Sequence, residues 1–207
     1  VAAGTDYADL CGEPAWMRQM IDAHQHFWQL SRGDYDWTNA SVAPIFRDFG
    51  PEELAPLLAA ARVRQTVLVQ ATPTVAETRY LLQLAARTPF VAAVVGWADL
   101  TAPEAVETID MLRADPLLRG LRPMLQSIDD TDWILQPAAE AALRHMARVG
   151  LRFDALIQPR HLPVIAKLAR RHPDLSIVVD HVAKPRMGAG QVPDAGWVDG
   201  MSALAPL

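Results

Sequence analysis

Met20-Ile21-Asp22-Ala23-His24-Gln25-His26-Phe27-Trp28 is the stretch whose reading decides the fold. It reads as a short apolar strand carrying a His-x-His pair. Side chains alternate faces along a strand, so His24 and His26 project to one side, roughly 7 Å apart along the chain. The strand then runs on into Phe27-Trp28-Gln29-Leu30. A nucleotide-binding sheet would place G-x-G-x-x-G or G-x-x-x-x-G-K here, to bring backbone amides against phosphates. Neither is present.

The rest of the chain repeats a strand-then-helix beat. Pro51, with Glu52 and Glu53 behind it, opens a helix through Leu54, Leu57, Leu58 and Ala61, since proline and acidic residues suit a first turn. Gln65–Gln70 is a β-branched run with little alternation, as in a strand covered on both faces. Residues 74–87, a helix starting at Pro103, and the stretches Pro137–Val149 and Leu162–Arg171 are the next helices. Phe90–Trp97, Gly120–Leu125, Leu151–Ile157 and Leu175–His181 are strands three to six. Gly150 stands where a helix stop is expected. Six such beats predict a parallel sheet with crossover helices, either doubly wound or a (β/α)8 barrel.

Polar residues at the strand ends favour the barrel, whose active sites gather there. His24 and His26 close strand one, Gln70 strand two and Trp97 strand three. Arg122 lies within strand four, His161 follows strand five, and Asp180 and His181 end strand six. Strict alternation would turn only one of Asp180 and His181 inward. His145 and His172 sit among arginines and read as solvated surface groups. The aromatic segment Trp28–Phe49 has no sustained period, and a loop this long inside a compact domain is more often functional than idle.

Composition excludes several classes of function. Of 207 residues, 51% are hydrophobic and 21% charged, which suits a globular chain with a full core. A net charge of −5 gives no electrostatic reason to expect nucleic acid or anionic membrane. No apolar run approaches the about 18 residues of a membrane span. The single cysteine, Cys11, rules out a disulfide framework or a cysteine zinc cluster and suits a reducing, cytoplasmic setting. Residues 1–19 lack a signal-peptide pattern and are expected to be an extension outside one domain spanning 20–207. Ser202–Leu207 reads as the middle of an element.

With these residues in hand, the sequence resembles the amidohydrolase-related (amidohydrolase-2) family. Within it, the chain is most similar to the lactonase branch, which includes L-fuconolactone, L-rhamnonolactone, sulfomuconolactone and 2-pyrone-4,6-dicarboxylate hydrolases. The resemblance rests on Met20–Trp28, Val69-Gln70-Ala71, Gly120-Leu121-Arg122-Pro123, Gln158-Pro159-Arg160-His161-Leu162-Pro163 and Val179-Asp180-His181-Val182-Ala183-Lys184-Pro185. It implies a (β/α)8 TIM barrel. Such a barrel needs about 250 residues, so this chain would end after about six units. The aspartate that the family uses to activate water, on strand eight, would then lie past Leu207.

The resemblance further implies that a water opens a lactone on a small-molecule substrate. It makes His24, His26 and His181 catalytic residues, with His181 turned inward, and also the ligands of one divalent metal. Imidazole donors suit zinc; a metal-free site stays open beside this. Arg122 would grip an anionic or polarised oxygen, or else pair with a strand-end carboxylate. Gln70, His161 and Lys184 would reach substrate oxygens, His161 being equally suited to a helix surface. Trp28, Trp37 and Trp97 would form flat walls for the substrate, or pack in the core. A metal-dependent decarboxylase on the same scaffold and an inactive, incomplete barrel are the alternatives.

Overall fold

A computed structural model describes residues 20–188 and 190–207; the expected extension at 1–19 lies outside them. Six strands form one sheet: β1 (Ile21–Gln25), β2 (Gln65–Val69), β3 (Val91–Gly96), β4 (Leu118–Leu121), β5 (Arg152–Ala155) and β6 (Ile177–Val179). Every neighbouring pair is parallel, and the spatial order is the sequence order. A doubly wound sheet reverses its strand order at a switch point. Here nothing reverses, so crossovers of one hand all return on the same side and the twisted sheet curls into part of a barrel. Among the described residues, β1 pairs only with β2 and β6 only with β5.

The crossover helices are α1 (Pro51–Ala61), α2 (Val75–Ala86), α3 (Ala105–Arg113), α4 (Glu140–Val149) and α5 (Leu162–Arg171), with α6 (Ala195–Leu204) after β6. Leu81, Leu84 and Ala85 of α2, Ile109 and Leu112 of α3, Leu143 and Met146 of α4, and Ile165 and Leu168 of α5 are buried in one continuous core. Their spacing of three and four residues is the apolar stripe of a helix packed on a sheet. Gly150 caps α4 in the left-handed conformation, as its position predicts.

Several strand ends fall one or more residues from the sequence reading, and two of these differences matter most at the site. Strand four ends at Leu121, so Arg122 lies just beyond the strand rather than within it. Strand six ends at Val179. Four consecutive non-glycine residues after it, His181, Val182, Ala183 and Lys184, have φ of 50°, 46°, 60° and 53°. Left-handed backbone costs an L-residue about 1–2 kcal/mol, and such strain gathers at functional sites.

The loop Trp28–Phe49 folds back on itself. Trp28 and Phe49 close it through a two-way backbone bridge, and the Trp37 indole donates to the Ala71 carbonyl at 2.9 Å. The segment is thereby tied to the end of β2. No helix among the described residues is long and apolar enough to cross a membrane.

Candidate active site

His24 on β1 and His26, one residue past its end, turn to the same side: their Nε2 atoms are 3.1 Å apart. The outer nitrogens are held by different partners. His26 Nδ1 is 2.8 Å from the Val69 carbonyl at the end of β2, and a carbonyl only accepts. Nδ1 therefore carries the hydrogen, and Nε2 presents a lone pair. His24 Nδ1 lies 3.4 Å from Asp180 Oδ1, so the carboxylate favours a hydrogen there as well. With both hydrogens on Nδ1 the two lone pairs face each other across a gap that a metal ion can fill; with its hydrogen on Nε2 instead, His24 donates to His26 Nε2. Burial first, and then the Arg122 guanidinium, hold the His26 imidazole down to about 4, so it is neutral near pH 7.

Arg122 is 3% exposed and sits at the centre of the cluster. Its Nη1 donates to Asp180 Oδ2 at 3.0 Å and lies 3.4 Å from His24 Nε2, and its Nη2 donates to the Gln70 carbonyl. Gln70 returns a bond from Nε2 to the Arg122 carbonyl at 2.8 Å. The guanidinium fork is thus engaged by the ends of β2 and β6. Of the two readings of Arg122, the structure contains the pairing with a strand-end carboxylate. Arg122 Nε and Gln70 Oε1 are buried with no hydrogen-bond partner among the described residues.

Asp180 and His181 both reach this site, which corrects the expectation that alternation admits only one. The rule applies to extended backbone, and the chain leaves the strand at Val179 for the left-handed turn. Asp180 is buried against Arg122, while the more exposed His181 ring lies 4.7 Å from that of His24. Donor atoms of His24, Asp180 and His181 fall within 4.8 Å of one another, as for ligands sharing one ion. Two imidazoles and a carboxylate fit zinc by chemistry and leave room for water. The adjacent guanidinium, already bonded to Asp180, opposes a second cation.

Asp154 of β5 was not among the candidate residues. It is buried, and its carboxyl is pushed up to about 8 by burial and then by the hydrogen bond and charge of Asp180. Burial raises Asp180 too, but the bonds from His24, Asp154 and Arg122 outweigh it and hold Asp180 well below the usual carboxylate range. The pair therefore carries one proton, on Asp154. The available signal was a lone charge in the apolar run Leu151–Ile157, which seldom goes inside unpaired.

The remaining candidates have partners outside this cluster. Trp28 packs edge-on to Trp37 at 5.3 Å and against Phe49 at 4.6 Å, within the loop cluster. Trp97, half-buried, follows β3, and the Thr78 hydroxyl bridges its backbone N–H and carbonyl at 2.7 and 2.9 Å. Lys184 donates to Gln126 and is exposed. His161 is fully buried rather than on a helix surface. Its Nδ1 accepts from the Gln158 N–H at 3.1 Å, and Nε2 has no partner among the described residues. His145 and His172, expected at the surface, are buried against Asp110 at 2.8 Å and Glu140 at 3.3 Å. Their position on the helices hid the partners, which come from other helices or turns.

An open run of parallel strands that collects histidines, paired carboxyls and an arginine at its ends is an α/β barrel of the kind that carries hydrolytic sites there. The chain belongs to the amidohydrolase family, whose profile (Amidohydro_2) matches residues 21–205. An L-fucono-1,5-lactonase of Burkholderia ambifaria is 51% identical over 89% of this chain and 63% of its own length. A second L-fucono-1,5-lactonase, from Burkholderia multivorans, is 34% identical over 90% of this chain and 64% of its own. A solved Burkholderia multivorans amidohydrolase with bound zinc superposes with a TM-score of 0.84 at 33% identity, covering 91% of this chain and 66% of that one. The chain thus spans a little under two thirds of the relatives it matches.

Proposed function

We propose that this protein opens a sugar lactone by hydrolysis, with L-fucono-1,5-lactone the first substrate to try. The observation that carries the reading is the 51% identity to a fuconolactonase across nearly the whole chain. The site supports it: His24, His26, Arg122, Asp180 and His181 converge at strand ends where such chemistry belongs. The decarboxylase alternative draws no support from the curated relatives described above, both of which are lactonases.

In this reading His24, Asp180 and His181 hold a divalent ion when one binds, with His26 beside them; the ion would supply Lewis-acid polarisation of a carbonyl. Arg122 acts from behind. It fixes Asp180 and the β2 end, and it keeps the potential positive where an oxyanion develops. His26, neutral and oriented by Val69, offers its Nε2 lone pair to water or to a substrate hydroxyl. Gln70 Oε1, Arg122 Nε and Asp154 Oδ1 are buried without a hydrogen-bond partner among the described residues. Trp28, Trp97, Lys184 and His161 shape the surroundings. Proton abstraction from water is assigned to no residue within 1–207.

The test uses the protein expressed with whatever its reading frame encodes beyond Leu207. Acid release from a panel of 1,4- and 1,5-sugar lactones is followed with a pH indicator, with and without added zinc. Turnover above the spontaneous rate on at least one sugar lactone is expected. If no lactone responds, the function is wrong; if His24→Ala and His26→Ala keep full turnover, the site is wrong.

A further inference from the structure

We propose that Glu77, outside the site, is a positioning residue that fixes the strand-end segment Val69–Thr72 and through it orients His26 and Arg122. Glu77 stands three residues after the α2 N-cap Thr74, whose hydroxyl accepts its N–H at 3.0 Å. In a capping box the Glu side chain would turn back to the N-cap amide. Here it reaches instead toward the end of β2. The Ala71 N–H donates to Oε1 and Oε2 at 3.0 and 3.1 Å, and the Thr72 N–H to Oε2 at 2.9 Å.

Those two peptides are continuous with the groups that set the site. The Val69 carbonyl fixes the tautomer and ring plane of His26. The Gln70 carbonyl accepts from Arg122, and the Gln70 side-chain Nε2 donates back to the Arg122 carbonyl. The Ala71 carbonyl takes the Trp37 indole N–H, so one peptide is held by Glu77 on its nitrogen and by the long loop on its oxygen. The His26 contact and the carboxylate's bonds fall on three consecutive peptide units, 69–70, 70–71 and 71–72, and the segment has no slack in which to hide a shift.

Glu77 is 0% exposed, and a buried carboxylate is costly without compensation. The groups facing it are Tyr35 and Asp34 from the loop. Arg32, the cation of that loop, pairs with Asp34 at 2.6 Å and lies over the Tyr80 ring of α2. No cation bonds Glu77 directly among the described residues; its hydrogen bonds come from backbone amides. Burial pushes it up to about 7 even so, against the lowering effect of those amides and of Tyr35. A neutral side chain of the same shape would avoid the burial cost, but it could not accept at both oxygens. That points to a service to the Ala71–Thr72 backbone.

The inference rests on the site assignment, and on the lactonase reading only for its kinetic arm. Glu77→Gln keeps the shape but opposes an NH2 group to one of the two amides. Expected are about tenfold faster hydrogen exchange at Ala71 and Thr72, and moved imidazole 15N resonances of His26. On the lactone found active, kcat falls about tenfold with KM little changed. Unmoved His26 resonances with Ala71 and Thr72 still protected would overturn the inference. Because Glu77→Gln could fail to fold, the unmodified protein is also titrated by NMR. The Glu77 carboxyl carbon and the Ala71 and Thr72 amide protons must shift with one midpoint; separate midpoints also refute it. A protein inactive on every lactone but passing both NMR arms overturns the lactonase reading alone.

Discussion

Replacing Arg122 by methionine removes the cation at the centre of the site while keeping much of its volume. Arg122 and Asp180 are 3% and 5% exposed and joined at 3.0 Å. Breaking a buried pair by deleting one member costs about 3–5 kcal/mol, because the other charge stays buried uncompensated. The Gln70 carbonyl also loses its guanidinium donor, an unmet buried acceptor worth about 1–3 kcal/mol. Arg122→Met should therefore lose about 4–8 kcal/mol, comparable to the whole stability of many domains. Arg122→Lys keeps the charge but cannot span Asp180 and Gln70 with one ammonium; about half that loss is expected. Arg122→Met combined with Asp180→Leu leaves no orphan charge and should recover most of it. Urea unfolding followed by circular dichroism, with m-values compared, reads all three. A loss under about 1 kcal/mol in Arg122→Met, or a double variant no better than the single, would refute the view of a buried, interdependent pair.

Three further outcomes are expected. Glu77 has its folded value raised from 4.5 to about 7. The fold thus binds its proton more tightly than the unfolded chain does, and its contribution to stability declines as pH rises from about 4.5 to 7, by about 3 kcal/mol; subtracting the urea-derived pH profile of Glu77→Gln from that of the parent isolates this slope, and parallel profiles would contradict it. Gly96 ends β3 where an added Cβ would overlap the Thr78 methyl and come within 3.2 Å of Leu118 Cδ1. Gly96→Ala should cost about 1–3 kcal/mol by overpacking, seen as a lower Tm, and Thr78→Ser in the same chain should restore part by removing the methyl while keeping the hydroxyl on Trp97. Calorimetric titration with zinc should show His24→Ala and His181→Ala each weakening binding at least about tenfold; unchanged affinity would remove them from the ligand set.

The open stretch at Met20–Trp28 carried much of the answer because its information is local. A strand's period of two puts His24 and His26 together whatever surrounds them, and a missing glycine turn is read directly. The same holds for the six strand-and-helix beats, whose apolar spacing reflects what each element must bury. What the sequence could not supply depended on contacts distant along the chain. His145 and His172 look like surface groups until Asp110 and Glu140 are seen across from them. Asp154 is merely a charge in an apolar run until Asp180 lies beside it. Glu77 resembles an ordinary cap residue, and nothing in Thr74–Glu77 shows that its carboxylate reaches the end of β2.

Arg122 and Asp180 mark the boundary most clearly. The chain by itself determined that each falls near the end of a parallel strand, because hydrophobic periodicity places strands and the ends of strands collect polar groups. Only the tertiary structure decided that they pair. They stand 58 positions apart and come into contact because the sheet curls in sequence order, and both Asp180 and His181 reach the site because the backbone turns left-handed after Val179. Curl and turn are set by packing over the whole sheet, which no window of sequence contains.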